Sequence, residues 1–287
     1  MPTLYRQFET QAQIDAQYNP AIQLADPTQP ARHYAQRSGD ARTQLPCTLG
    51  VPYGPTLVET LDIFSADRPN APVFVFLHGG YWRAFSSKDF SCVALGLQPL
   101  GITTVVVNYA LCPHVTVDEI TRQVRAAVAW TFRNVGAYGG DPSRIALGGH
   151  SAGAHLAAMC LQTPWDAAYS LPQDPVAAAL LVSGIYDIAP LRYSYLQPMI
   201  QLDQGMVARN SPAFGVRPSA TPVWTTWGGE ETPEFERQAH LFHDAWQAAG
   251  NQGELSALPG ANHYIGIHGF ERPDSGLSQW LARQLRA

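Results

Sequence analysis

The segment Gly149-His150-Ser151-Ala152-Gly153 carries the chain's clearest chemistry. Ile145, Ala146 and Leu147 lead into it as a short apolar run, and Ala157, Ala158 and Leu161 continue after it at helical spacing. A Gly-x-Ser-x-Gly with a strand before it and a helix behind it is an elbow that presents a serine as a nucleophile. The glycines are there for steric reasons. A strand that turns at once into a helix strains the backbone at the serine and brings the two elements close together. The positions two before and two after the serine therefore cannot carry a bulky Cβ substituent. The hydroxyl is left exposed at a helix N-terminus, where backbone N–H groups point at the reacting atom.

A serine needs an adjacent base, and the base needs an orienting acid. In strand–elbow–helix hydrolases these partners follow the serine in the order acid, then histidine. His263, in Gly260-Ala261-Asn262-His263-Tyr264, comes directly after the last predicted strand and is favoured over His268 a few residues on. The strand ending at Trp227 delivers Glu230 and Glu231, and the strand before it delivers Asp187. Position in the chain order points to one of the two glutamates as the orienter, with Asp187 as the main rival; the ranking is Glu231 first, Glu230 second and Asp187 third. His240 and His243 lie three apart within a predicted helix, but no H-E-x-x-H and no carboxylate cluster accompanies them. They read as a solvated helix face, and neither metal nor cofactor is expected.

Acyl transfer also needs backbone N–H donors aimed at the developing alkoxide. Ala152 supplies one. His78-Gly79-Gly80, at the end of another apolar strand, resembles the glycine loops that supply the rest, with Gly79 and Gly80 as donors and His78 as a brace.

These groups must be held by a scaffold, and the apolar pattern supplies one. Leu57–Phe64 alternates like a half-buried strand. Pro72–Leu77, Ile102–Val107, Val176–Ser183, Pro222–Trp227 and Leu255–Leu258 read as buried strands. Helices are predicted from Lys88 to about Leu97, over Val117–Val135, after the elbow, over Pro233–Ala249 and from about Ser275. Strands alternating with helices imply an α/β fold, a mostly parallel sheet with helices on both faces. Residues 1–287 read as one domain, with 1–45 as an N-terminal arm and 184–220 as a small cap-like insertion.

Composition excludes several functions. The chain has 287 residues, a net charge of −5 and no Lys/Arg cluster, so nucleic acid and anionic membrane surfaces are not expected partners. No apolar run is long enough to span a bilayer, and the first residues contain no apolar signal core. Cys47, Cys92, Cys112 and Cys160 are scattered without metal-ligand spacing, which fits reduced thiols and the cytosol.

Taken together, His78-Gly79-Gly80-Tyr81-Trp82, the run from Asn108 to Val117, Gly139-Gly140-Asp141-Pro142, the elbow with its flanking histidines, and the stretch from Glu231 to Gln238 resemble the kynurenine formamidase (arylformamidase) group of the α/β-hydrolase superfamily. Tyr18-Asn19 and Val51-Pro52-Tyr53-Gly54 are similar as well. The resemblance implies hydrolysis of N-formyl-L-kynurenine to kynurenine and formate, with Glu231 as the acid. Several formamidases have Asp at that position, one methylene shorter. It also implies a small-molecule partner, an aryl formamide, with a short-chain ester and a carboxylesterase activity as the alternative. A homodimer is compatible with the chain but not demanded by it. The aryl group would stack on Tyr81, Trp82 or Tyr264, with plain packing as the other reading of these rings. A cation for the substrate carboxylate would come from Arg83, Lys88 or Arg192, each of which taken singly reads rather as a solvated surface charge.

Overall fold

A computed structural model describes residues 3–286. Eight strands form a single sheet in the order β1-β2-β4-β3-β5-β6-β7-β8. They are β1 (Cys47–Pro52), β2 (Thr60–Phe64), β3 (Ala71–Leu77), β4 (Thr103–Val107), β5 (Gly140–His150), β6 (Ala178–Val182), β7 (Val223–Gly228) and β8 (Gly253–Leu258). β2 runs antiparallel to both β1 and β4, and the strands from β4 across to β8 pair in parallel.

The parallel part is buried on both sides, and its sequence shows why. Along β3, Val73, Val75 and Leu77 point into one core while Phe74 and Phe76 point into the other. The first core is closed by α3 (Val117–Asn134), α4 (Ala152–Leu161) and α8 (Pro233–Ala248). Ile120, Val124, Ala127 and Val128 form the apolar stripe of α3, and Thr116 caps its first turn by accepting from the Glu119 N–H at 3.3 Å. In α8 the buried stripe is Phe235, Ala239, Phe242 and Trp246, and Pro233 starts the helix. The second core takes Leu277, Trp280 and Leu281 of α9 (Gly276–Gln284), together with Tyr34 of α2 (Gln29–Gln44).

Three stretches depart from the sequence expectation. Leu57 is 99% exposed, so the strand begins only at Thr60. The helix expected from Lys88 is a series of short 3-10 turns, Ser87–Asp89, Ser91–Ala94 and Gln98–Leu100. Ser86 and Asp89 exchange capping hydrogen bonds that close the first turn on itself, and Pro99 prevents the last from extending. β1, at the sheet edge, was hidden because its residues are mostly exposed and follow no apolar pattern.

The N-terminal arm contains α1 (Gln11–Tyr18) and α2 and lies across the strand ends. The Tyr18 hydroxyl donates to Glu234 Oε2 at 2.6 Å, Thr232 Oγ1 donates to the Gln17 carbonyl at 2.6 Å, and Arg6 pairs with Asp187 at 2.9 Å. Residues 184–220 hold the short helices α6 (Gln197–Ile200) and α7 (Gln204–Arg209), after the similarly short α5 (Trp165–Tyr169). This stretch packs on α3 through Thr121 Oγ1 donating to Asn210 Oδ1 at 2.9 Å and through Arg209 with Asp118. Among the described residues, no helix is long and apolar enough to cross a membrane.

Candidate active site

Ser151 stands between the last residue of β5 and the first of α4, with φ 57° and ψ −121°. This is a conformation that a serine holds only when its surroundings enforce it. The steric argument for the flanking glycines is quantitative. A Cβ on Gly153 would lie 1.9 Å from the Leu77 carbonyl oxygen, and one on Gly149 would lie 2.4 Å from the Gly153 carbonyl carbon. Neither neighbour can give way, because both are backbone.

The strand beside β5 delivers the glycine loop. Gly80 has φ +110°, followed by Tyr81 at 48° and Trp82 at 56°. Three consecutive left-handed residues fold the chain back so that the Arg83 and Ala84 N–H groups both donate to the Gly80 carbonyl, at 3.0 and 3.1 Å. The Trp82 carbonyl accepts from Cys112, and the Tyr81 hydroxyl donates to the Tyr18 carbonyl of the arm. The N–H groups of Gly79, Gly80 and Ala152 donate to no protein acceptor among the described residues, which leaves them free for a ligand oxygen. His78 is fully buried and stacks on Tyr109 with ring centres 4.1 Å apart. Burial pushes its pKa down to about 4, so it is neutral and braces the loop.

On the other side, β7 ends at Gly228 and turns into α8 through Glu231, while β8 runs out into the loop that bears His263. Chain order is realised in space. His263 Nδ1 is hydrogen-bonded to Glu231 Oε1, and the two side chains are 5% and 1% exposed. Glu231 Oε2 accepts from Ser183 Oγ and from the Gly228 N–H, each at 2.9 Å. With Nδ1–H committed to the carboxylate, Nε2 is left as the free nitrogen of the ring. His150 Nε2 donates to the His263 carbonyl at 2.8 Å and fixes the loop from beneath, while Phe235 packs its ring 4.6 Å from the imidazole. Burial holds His150 neutral, with a pKa well below the usual histidine value.

Ser151, His263, Gly79, Gly80, Tyr81 and Tyr264 line one cavity of about 390 Å³. Ser151 Oγ and the His263 ring are not hydrogen-bonded to each other in it. Catalytic hydrogen bonds of this kind commonly tighten only when substrate is bound. Much of the remaining wall comes from the arm, through Asn19, Pro20, Ala21, Pro27, Pro30, Ala31 and Tyr34, whereas Tyr195 is the contribution of residues 184–220. Tyr34 also donates to the Tyr264 carbonyl at 2.7 Å, tying α2 to the histidine loop.

The rival residues lie elsewhere. Glu230 is exposed. Asp187 is buried, but it is bound to Arg6 and to the Ala189 N–H. His268 stacks on His33 at 3.9 Å beside Glu271, whose other oxygen is taken by Arg37 Nε at 2.7 Å. His240 is exposed, as a solvated helix face requires, but His243 is 7% exposed and packs inward against Gly253. Trp82 does not line the cavity. It is fully buried, with its ring edge-on to His155 at 4.8 Å, because successive left-handed residues send Tyr81 and Trp82 to opposite sides of the loop. His150 lies within the elbow, but the motif gives it no role, and Ser183 and most of the arm's wall residues belong to no spaced motif.

Comparison with known proteins shows the family. The BD-FAE family model matches residues 61–179. The kynurenine formamidase of Danio rerio is 30% identical over 265 residues, covering 88% of each chain. This chain belongs to the kynurenine formamidase family. The esterase LipQ of Mycobacterium tuberculosis is 28% identical over 256 residues, covering 82% of this chain and 58% of its own. A crystal structure of a candidate thioesterase from Silicibacter sp. tm1040 superposes with a TM-score of 0.80 at 26% identity, over 94% of this chain and 97% of that one. Formamidase-family membership and the esterase relative make the protein an α/β-hydrolase of the serine type.

Proposed function

We propose that the protein is an arylformamidase that hydrolyses N-formyl-L-kynurenine to L-kynurenine and formate, with Ser151 as nucleophile, His263 as base and Glu231 as the acid that orients it. The observation that carries this reading is the Glu231–His263 pair at the wall of a cavity that also holds Ser151 and the glycine loop, in a chain 30% identical to a kynurenine formamidase.

In the first step His263 Nε2 takes the Ser151 proton as Oγ attacks the formyl carbon. The negative charge that develops on the formyl oxygen is met by the N–H groups of Gly79, Gly80 and Ala152. The imidazolium, stabilised by Glu231, then protonates the aryl nitrogen as the C–N bond breaks. This frees the arylamine and leaves a formyl ester on Ser151. Water gives its proton to His263 Nε2 and attacks the formyl ester, and the imidazolium returns a proton to Ser151 Oγ as formate leaves. An anilide leaves more readily than an alkylamide because its lone pair is delocalised, and a formyl group needs almost no acyl pocket. Tyr81 and Tyr264 stand with Tyr34, Phe85, Phe90 and Tyr195 among the aromatic rings that line the cavity and are offered to the aryl group. The free thiols of Cys47, Cys92, Cys112 and Cys160 support a cytosolic site for the reaction.

The alternative is a carboxylesterase acting on short-chain acyl esters, which the likeness to LipQ favours. Comparing kcat/KM for N-formylkynurenine and p-nitrophenyl acetate separates the two. A preference for the formamide of about a hundredfold or more supports the first reading, and ester cleavage with negligible deformylation supports the second. Ser151→Ala removes either activity by about ten-thousand-fold or more.

A further inference from the structure

The cavity is lined by apolar and aromatic side chains and contains one permanently charged group, the Arg83 guanidinium. Arg83 follows the glycine loop by three residues and is turned back toward it by its own N–H bond to the Gly80 carbonyl. Its Nε is buried without a hydrogen-bond partner, and its guanidinium carbon sits 6.0 Å from the centre of the Tyr195 ring. Among the described residues, no carboxylate is paired with Arg83 and none lines the cavity. A buried guanidinium donor without an acceptor is costly unless a ligand supplies one.

The other candidate cations lie outside the cavity. Lys88 Nζ is paired with Asp62 at 2.5 Å and is half-exposed. Arg192, whose Nε is likewise buried without a hydrogen-bond partner, lies over the Tyr193 ring and faces a separate pocket with Leu4 and Gln11. Neither lines the cavity.

We infer that Arg83 forms an anion subsite that takes a carboxylate on the leaving-group side of the substrate, so that the enzyme selects aryl amides or esters bearing a carboxylate over neutral ones. A planar guanidinium with parallel N–H groups matches a carboxylate in two-point fashion, which fixes the aryl group in orientation as well as in place. The apolar walls receive the ring, the glycine loop receives the acyl oxygen, and Arg83 receives the far charge. The inference deepens the arylformamidase reading and rests on it only for which carboxylate-bearing molecule is the natural one.

The test uses two matched substrate pairs on the full-length enzyme. One pair is N-formyl-L-kynurenine and its primary amide, which keeps the ammonium group and lacks only the carboxylate charge. The other is 3-carboxyphenyl acetate and phenyl acetate. The quantity read is the ratio of kcat/KM for the member with the carboxylate to that for the member without it, which is independent of how much of a variant preparation is folded. Wild type favours the member with the carboxylate. Arg83→Gln lowers that ratio by about 10- to 100-fold, chiefly through KM, and Arg83→Lys keeps part of it. If neither formamide is cleaved but the ester pair behaves this way, the anion subsite stands and the arylformamidase reading falls. A wild-type ratio near one, or a ratio that Arg83→Gln leaves unchanged, overturns the inference. Should both variants fail to fold, wild type alone decides: 4-oxo-4-phenylbutanoate competes with substrate while its amide does not, and equal inhibition by the two is the contrary result.

Discussion

Glu231 makes the finest distinction in the site, because its two oxygens do different work. One holds the His263 Nδ1–H, and the other is pinned by Ser183 Oγ and the Gly228 N–H at 2.9 Å each. Replacing the carboxylate by an amide leaves the shape but can stabilise the wrong imidazole tautomer, so Glu231→Gln lowers kcat by about a thousandfold or more. Ser183→Ala removes one of the two donors that aim the carboxylate and lowers kcat by only about three- to tenfold, with KM little changed. Steady-state kinetics on the two variants checks the ranking. An equal loss in both would mean that Ser183 does more than hold Glu231. Chain order points to the glutamate pair at the end of β7, since a strand end followed by a helix start delivers a carboxylate to the same rim as the serine, but it is the hydrogen bond to His263 that separates Glu231 from Glu230. Ser183 could not be found from chain order. It is one of many serines, and its role depends on β6 and β7 being neighbours in the sheet.

At the scale of elements, legibility followed how local the physics is. The elbow could be read because its requirement is steric and contained within Gly149–Gly153. Strands β3, β4 and β6 could be read because burial on both faces demands unbroken apolar runs. The arm could not. In α1 only Ile14 and Tyr18 are buried, too few to mark an apolar face, yet the turn after it supplies Asn19, Pro20 and Ala21 to the cavity wall. What fixes its place is a set of contacts with residues about two hundred positions away, such as the Tyr18 hydroxyl on Glu234 Oε2 and Thr232 Oγ1 on the Gln17 carbonyl. No pattern within residues 1–45 encodes these. The divergence of Tyr81 and Trp82 was equally hidden, because it follows from left-handed backbone at both residues.

The whole molecule carries a pH dependence that the site's architecture imposes. Burial pushes His78 and His155 down to about 4 and His150 well below the ordinary histidine value. In the unfolded chain histidines titrate near about 6.5. Between about pH 6.5 and 4 the unfolded state therefore takes up protons that the folded state refuses, and stability rises with pH across that window. It is fully present above the unfolded value and is lost as pH falls toward the folded one, at about 1.4 kcal/mol per pH unit for each histidine. Denaturation midpoints fall from pH 7 to pH 5, and equal midpoints would contradict the neutral-histidine account.

The claim on which the catalytic account turns is that the Ser151 hydroxyl, served by His263, is the group that attacks the formyl carbon. Its most direct test is stoichiometric labelling with a fluorophosphonate, followed by peptide mass mapping and assay of N-formylkynurenine hydrolysis on the same samples. The account predicts a single adduct on Ser151, activity lost in proportion to it, and slower labelling when N-formylkynurenine is present. Absence of an adduct on Ser151, or full labelling of Ser151 with hydrolysis retained, would contradict it.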